Sequence, residues 1–478
     1  MSGETERMSA VDAAWLRMDR PTNLMMIIGV VVFDSRVDFR RFRRTIGQRF
    51  LKFPRFRCRA VQDTVSASWE TDPDFDLDQH VTRIALPEPA GQAELESLVS
   101  RLAGTDLDRR RPMWQFHFVE NFCGGSAVIL RIHHCYADGT AMVRVFLTLM
   151  DPQARPAAPA APSTAVETPD AAAADDESLP WLGRLRVPGI GLVQKAYAEG
   201  AEWLSRAVDL AQDPRQANEL ARHALGIAGE LARVATLADD PPTRFKGALG
   251  TRKIAAWTDP LPLADVKCVA KALGCTINDL LMSTAAGALG SYLRDHGEDT
   301  DGMTIRATVP VNLRDPKAAA ALGNYFGLVF LELPIGIRNP LERLFAVHAS
   351  MSALKSSYQP VLTLGLMAAL GRMPGSVEAA AIDLLSTKAT AVATNVPGPQ
   401  HPLYLAGKKV ARLIFWVPQS GNIGLGISIL SYAGQVQFGL IADYKRVSDP
   451  ALVAAKFHEE FEKVVLSLLL GPYLKNGR

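Results

Sequence analysis

The chain of 478 residues is long enough for two or three domains, each with its own core. Hydrophobic residues make up 48% and charged residues 21%, with a mean hydropathy of +0.05, a composition that excludes global disorder. The 52 basic and 50 acidic side chains leave a formal charge of +2, which gives no field for wrapping nucleic acid. Five cysteines (Cys58, Cys123, Cys135, Cys268 and Cys275) lack metal-ligand spacing and read as reduced thiols. Met1–Glu6 is polar and acidic, unlike a secretory signal, so a cytoplasmic chain is expected. The apolar run Leu24–Phe33 is too short to span a bilayer and suits a buried strand.

Residues 9–20 read as a short capped helix, 24–34 as a strand and 38–51 as a helix, already an α/β alternation. From Arg36 to Arg59 ten basic residues meet one acid, Asp38, interleaved with Phe39, Phe42, Phe50, Phe53 and Phe56. Two readings stand: an amphipathic helix with a phenylalanine core face, or a cradle for phosphates or anionic lipid headgroups. Strands are predicted at 57–62 and 66–70, a helix at 91–104, strands at 114–120 and 127–132, and a helix at 139–150. Residues 151–180, rich in Ala, Pro and Asp, read as a flexible linker, and 181–245 as a helical crossover. A second α/β half, 246–478, is predicted as strand 252–258, helices 262–273 and 276–295, strands 303–311 and 326–333, and helix 340–356. Helices across 360–387, strands at 389–395, 410–417, 424–431 and 434–443, and a helix at 449–470 complete it.

Arg131-Ile132-His133-His134-Cys135-Tyr136-Ala137-Asp138-Gly139 sets two histidines at a strand end, an aspartate four residues after the second, and a glycine before a helix. Histidine, with an ordinary pKa of ~6.5, takes a proton from a hydroxyl and returns it near neutral pH. A base is available without a metal. Asp138 is placed to fold back and fix the loop, and Gly139 to allow a tight turn into the next helix. Cys135 invites a Cys/His nucleophile, but direct attack by a bound alcohol needs no covalent intermediate.

The HHxxxDG spacing resembles that of the CoA-dependent acyltransferase superfamily, which includes chloramphenicol acetyltransferase, carnitine acyltransferases and peptide-synthetase condensation domains. The resemblance implies that His134 is the general base and that His133 and Asp138 hold the loop, Asp138 through an arginine for which Arg314 is the candidate. Further segments resemble the bacterial wax ester synthase/diacylglycerol acyltransferase family. Leu107–Trp114 is similar to its LDRxxPLW segment, with Met113 where leucine is usual, and Gly274–Leu281 to its GxTxNDVVL segment. Pro310–Arg314, Leu322-Gly323-Asn324 and Thr394–Pro399 follow in family order. Arg244-Phe245-Lys246-Gly247 departs from it, lacking the asparagine expected before the glycine, a change expected to bear on substrate preference.

The resemblance implies an α/β fold of two chloramphenicol-acetyltransferase-like domains, 1–150 carrying the motif and 246–478, with mixed sheets flanked by helices and a tunnel at their interface. It implies transfer of a long-chain acyl group from acyl-CoA to diacylglycerol or to a long-chain fatty alcohol, with CoA as cosubstrate and no prosthetic group or metal. His133, His134, Asp138 and Asn278 are the catalytic candidates, Asn278 as an oxyanion stabiliser; a helix N-cap region explains Asn278-Asp279 equally. Pro112, Met113, Trp114, Gly139 and Asp279 are substrate-binding candidates, although Pro112–Trp114 equally starts a strand with a core tryptophan. Asn395–Pro399 reads as a structural turn. Lipid substrates imply peripheral docking on the inner membrane face or on lipid droplets. Candidate surfaces are 36–59 and helices near 193–210 and 360–387, unless Leu362, Leu364, Leu366, Met367 and Leu370 are core. Two alternatives are acylation of a polyketide or glycolipid hydroxyl and a non-enzymatic lipid-droplet protein; intact His133, His134, Asp138 and Gly139 argue against the second.

Overall fold

The computed structural model describes residues 5–63, 67–154, 229–230, 232–234, 236–314, 322–355 and 357–475. Most of the expected linker and crossover, including the helix expected near 193–210, lies outside them. The first half runs β1 (Thr5–Arg7), α1 (Ala10–Arg17), β2 (Met26–Phe33), α2 (Phe39–Arg49), β3 (Cys58–Gln62), β4 (Ala67–Thr71), β5 (Val81–Ile84), α3 (Gln92–Ala103), β6 (Trp114–Val119), β7 (Ala127–His133), α4 (Gly139–Leu149) and β8 (Met150–Asp151). The second begins with β9 (Lys253–Trp257), β10 (Leu261–Pro262), α5 (Leu263–Ala272), α6 (Ile277–Asp295), β11 (Ile305–Asn312), β12 (Phe326–Leu333), α7 (Pro340–Leu354), α8 (Gln359–Leu370) and α9 (Gly375–Thr387). It ends with β13 (Ala391–Pro397), β14 (Tyr404–Leu405), β15 (Lys408–Trp416), β16 (Leu425–Tyr432), β17 (Gln435–Asp443) and α10 (Pro450–Lys475).

Central strand β2 is a continuous apolar run and β7 is apolar apart from Arg131 and His133, both buried along almost their whole length, because both faces of their sheet are covered. That sheet has the order β5-β6-β7-β2-β15-β14-β8. The second has the order β10-β17-β16-β13-β11-β12 with β9 on β17, and β1-β4-β3 forms a small third sheet. Both large sheets are mixed: β5 runs parallel to β6, and β11, β13 and β16 run parallel, among antiparallel neighbours.

The segments on either side of residue 246 share a sheet. The β14–β15 hairpin enters the first sheet, where β15 pairs antiparallel with β2 from Trp416 opposite Ile28 to Val410 opposite Phe33. Its two-residue turn, Ala406-Gly407, has positive φ at both positions, as a tight right-twisting hairpin requires. The apolar pattern of β15 reports which face is buried but not which strand it joins. In return, α3 of the first half docks on β9: Ala255 N donates to Ser100 Oγ at 2.9 Å, and Gln92 Nε2 to the Trp257 carbonyl at 2.9 Å.

In α2, the Asp38 side chain caps the helix by accepting from Arg41 N, and Phe42 and Ile46, one turn apart, fill the core. Arg40, Arg41 and Arg44 face solvent. Of the apolar side chains considered for docking at 360–387, Leu364, Met367 and Leu370 are buried against the core. Met373, Val377 and Leu384 are the exposed large apolar residues of that stretch. Among the described residues no helix is long and apolar enough to cross a membrane.

Long helix α6 is capped reciprocally by Thr276 and Asp279 and is buried along most of its length. It passes so close to Ile335 that a Cβ on Gly290 would lie 2.1 Å from the Ile335 carbonyl oxygen. Gly287 faces the buried Arg343–Glu460 ion pair, 2.6 Å long, which ties α7 to α10. Gly290→Ala is therefore expected to lower stability by roughly 2–3 kcal/mol through overpacking, seen as a reduced apparent Tm; an unchanged Tm would show that α6 has room to shift.

Candidate active site

At the end of β7 the chain is pinned from both sides. His133 N donates to the Met113 carbonyl at 3.0 Å and His134 N to the Met25 carbonyl at 2.7 Å, which ties the histidines to the starts of β6 and β2. The turn is then held from beneath, because Tyr136 Oη donates to the Cys58 carbonyl at 2.7 Å and accepts from Met113 N at 3.0 Å. Asp138 closes it. Its Oδ1 caps α4 by accepting from Ala141 N at 2.8 Å, and its Oδ2 accepts from Arg314 Nη2 at 2.8 Å and from Tyr325 N at 2.9 Å. Arg314 Nη2 also donates to the Gly323 carbonyl at 2.8 Å, and its guanidinium lies 4.5 Å from the centroid of the Tyr325 ring. Asp138 and Arg314 are both buried, so this cross-connection between the halves is desolvated and costly to break from one side.

The His134 ring is 3% exposed and lies against Trp15, with centroids 4.2 Å apart, and Phe326, at 5.6 Å. Burial pushes its pKa down to about 4, against the opposing pull of the Asp138 carboxylate. At neutral pH the imidazole is uncharged and free to accept a proton. His133 is arranged differently. Its Nδ1 accepts from Cys135 N at 3.2 Å, so its proton sits on Nε2, 3.6 Å from Asp19 Oδ2. Asp19 also accepts from Met25 N at 2.7 Å and from Arg109 Nη2 at 2.8 Å. Burial alone would raise the Asp19 carboxyl, but His133 and these donors outweigh it and hold it at about 2. Burial drives the Cys135 thiol well above its ordinary range, which removes the thiolate a Cys/His nucleophile needs.

The other sequence candidates fall in three places. Trp114 is fully buried among Phe50, Phe75, His80 and Phe116, with Nε1 donating to the Phe56 carbonyl at 2.8 Å. Within Pro112–Trp114, the Met113 carbonyl is the group that meets the histidine loop, accepting from His133 N. Gly139 opens α4 without a positive φ, so the turn does not require glycine; a Cβ there would meet no atom within 4 Å, and the residue leaves open space beside the loop.

Asn278 and Asp279 sit at the start of α6, and among the described residues no hydrogen bond joins them to the histidine loop. Asp279 is 1% exposed, and its Oδ2 accepts from Thr276 N at 2.9 Å and meets His348 Nδ1 at 2.7 Å. Asn278 Oδ1 accepts from Asn395 Nδ2, which makes Asn395 more than a turn residue. At the departure from the family pattern, Lys246 Nζ donates to the carbonyls of Ser386, Thr387 and Ala389 at 2.7–3.0 Å and so ties down the end of α9.

Four residues at the histidines carried no role in the sequence reading: Asp12, Trp15, Asp19 and Asn324. Asp12 and Trp15 look in sequence like ordinary residues of a capped helix, and Asn324 was marked only by the Leu322-Gly323-Asn324 segment. Asp12 Oδ1 accepts from Asn324 N at 3.0 Å and from Asn324 Nδ2 at 2.7 Å, and that Nδ2 also donates to the His134 carbonyl at 3.0 Å.

Residues 8–281 match the wax ester synthase/diacylglycerol acyltransferase catalytic domain, and residues 322–464 match the C-terminal domain of the same family. A probable diacylglycerol O-acyltransferase of Mycobacterium tuberculosis (strain H37Rv) is 29% identical over 470 residues, covering 96% of this chain and 95% of its own. Among solved structures, the wax ester synthase/diacylglycerol acyltransferase from Marinobacter aquaeolei VT8 has the same fold, with a TM-score of 0.67 at 20% identity, covering 97% of this chain and 99% of its own. The trichothecene 15-O-acetyltransferase from Fusarium sporotrichioides shares it at a TM-score of 0.59 and 13% identity, over 97% and 95% of the two chains. A buried histidine pair at a strand end, clasped across two mixed sheets, thus comes with matches along most of the chain, which belongs to the wax ester synthase/diacylglycerol acyltransferase family of acyltransferase enzymes.

Proposed function

We propose that the protein transfers a long-chain acyl group from acyl-CoA to the hydroxyl of diacylglycerol or of a long-chain alcohol, with His134 as general base. The observation that carries this reading is the state of His134: neutral, dry, packed on Trp15 and Phe326, and fixed at the end of β7 by the Asp138–Arg314 clasp. His134 takes the hydroxyl proton as the alcohol oxygen attacks the thioester carbonyl. The tetrahedral intermediate then breaks its C–S bond, and the departing CoA thiolate recovers the proton from the imidazolium, giving ester and free CoA. For the oxyanion we propose Asn278, whose Oδ1 is held by Asn395 Nδ2 so that its own Nδ2 remains to donate. His133 and Asp138 shape the loop without touching substrate.

A lipid substrate requires a lipid surface. We assign docking to the exposed cations of α2, Arg40, Arg41 and Arg44, with Lys408 and Lys409 of β15 beside them, since the Arg41 guanidinium lies against the Ala406-Gly407 turn. Among the described residues none of the five has an ion-pair partner, whereas Arg43, Arg49, Arg55 and Arg59 are paired. Such a face is attracted to anionic headgroups by about 1 kcal/mol per cation.

Purified protein given labelled palmitoyl-CoA with diacylglycerol or hexadecanol is expected to release CoA and form triacylglycerol or wax ester, and His134→Ala to lose roughly 10²–10⁴ of that rate. CoA release unchanged in the variant would overturn the assignment. Because burial has already lowered the His134 pKa to about 4, the base stays neutral well below pH 6.5 and is lost only as pH falls toward 4. The kcat/KM profile is therefore expected to stay level from pH 7.5 to 5.5, and an acid limb at the ordinary ~6.5 would contradict a dry His134 base. In sedimentation with phosphatidylglycerol-containing vesicles, Arg40→Glu/Arg44→Glu is expected to weaken binding severalfold relative to wild type and to flatten its salt dependence; equal binding would remove α2 as the docking face.

A further inference from the structure

We infer that α9 is a lipid-contacting face, seated among the acyl chains of a phospholipid surface through Met373, Val377 and Leu384. Lipid as the occupant draws on the acyl-transfer reading above, whereas the exposed face belongs to the free chain. A surface helix ordinarily turns its charges to water and its large apolar side chains to the core. α9 departs from that pattern. Its Glu378 is 2% exposed, whereas Val377 and Leu384 are 48% and 62% exposed, and Met373, in the turn before the helix, is 49% exposed. The inner row continues through Ile382 and Ser386, both buried.

The inner face is occupied by α1 and the residues just after it. Glu378 Oε2 accepts from Arg17 Nε at 2.7 Å, and Arg17 Nη2 donates to the Leu370 carbonyl at 3.2 Å. Farther along, Arg20 Nη1 donates to Asp383 Oδ1 at 2.6 Å and its Nη2 to the Ala379 carbonyl at 3.3 Å. Gly371 passes so close to α1 that a Cβ there would lie 1.8 Å from the Ala10 carbonyl oxygen. The acids of α9 are thus spent on holding α1, and the helix is left with an apolar outer row. Trp15 of the same α1 packs on the His134 ring, so lipid held by α9 lies one helix away from the histidines.

Charge and area select the occupant. Residues 372–377 are all exposed, and Arg372 carries the one charge among the fully exposed residues of 372–388. Partly exposed Asp383 and Lys388 are paired, with Arg20 and Asp239. Arg372 donates to the Ala368 carbonyl at 3.1 Å and has no carboxylate partner among the described residues. A cation beside an uncharged apolar row fits phosphate headgroups above acyl chains. Val377 and Leu384 stand two turns apart on one row, about 10 Å, so α9 lies along such a surface rather than entering it end-on. A second copy of the chain fits poorly, because the three side chains offer roughly 300 Å² against the roughly 800 Å² that each partner of a stable dimer buries.

The test is cosedimentation of the full-length protein, without acyl-CoA, with phosphatidylcholine vesicles containing phosphatidylglycerol at about 0.5 M salt, where attraction to the cations of α2 is screened. Wild type is expected to stay bound, and Met373→Gln/Val377→Gln/Leu384→Gln to lose binding about tenfold or more at an unchanged Tm. Equal binding by the two proteins, or release of wild type by the salt, would overturn the inference. So would a Tm lowered by several degrees, which would mean that the face is covered within the chain, or a wild-type dimer that the triple variant dissociates in sedimentation velocity. Val377→Trp tests the same contact without removing apolar surface. Its added emission is expected to be quenched by lipids brominated in their acyl chains, and added emission that escapes quenching would also overturn the inference. Binding as expected by a protein that transfers no acyl group would support the docking face and fault the function reading alone.

Discussion

Everything at the histidines depends on where one carboxylate points. Asp138 is the N-cap of α4, the partner of Arg314 and the acceptor for Tyr325 N, so a single side chain joins the loop after β7 to the segment that brackets β11 and β12. Each of its bonds is made inside the protein, where a charge without its partner is costly, and this makes the clasp an all-or-none device. Arg314 reinforces it by gripping the Gly323 carbonyl, which also accepts from Asp138 N. The segment that delivers Asn324 and Phe326 to His134 is held by the same contacts that hold the loop.

Around that clasp the protein gives two neighbouring imidazoles different surroundings. His133 is paired with Asp19, which is kept ionised at about 2 by the ring and by backbone and arginine donors. His134 meets aromatic rings and stays neutral. Asp12, buried and shifted the other way by desolvation, serves Asn324 instead of an imidazole. Two acids from one short stretch near the N-terminus are thus put to different uses, and the difference arises from depth of burial and from the His133 ring and donors beside Asp19.

The halves cannot be separated without dismantling this site. α1 and β7 supply Asp12, Trp15, His133 and His134, whereas Arg314, Asn324 and Phe326 come from the second half. The β14–β15 hairpin completes the first sheet beside β2, and α3 covers β9. Lys253, buried beside Asn23 at 2.9 Å and Asp443 at 3.2 Å, adds a polar tie at the same seam. A site built across a seam needs such interlocking, because sub-ångström placement of its side chains is lost if the two bodies slide.

Sequence alone determined the elements whose physics is local. The apolar runs of β2 and β7, the capped amphipathic α2 with Phe42 and Ile46 one turn apart, and the Thr276 start of α6 follow from side-chain periodicity and capping chemistry. The His133–Gly139 spacing likewise marked a strand-to-helix turn with Asp138 at the helix start. Tertiary structure decided what such patterns do not encode. An alternating strand such as β15 shows which face is apolar but not which sheet it joins. A Trp114 beside a motif is equally legible as a substrate wall or as core, and only the tertiary structure shows the rings packed around it. Asp279 reads as a cap or as a ligand group until His348 is seen to take its oxygen. Asp12 and Asn324 lie 312 residues apart, yet meet at 2.7 Å beneath His134. Hydrogen-bond partners at that separation are chosen by the packing of whole elements, so no local pattern announces them.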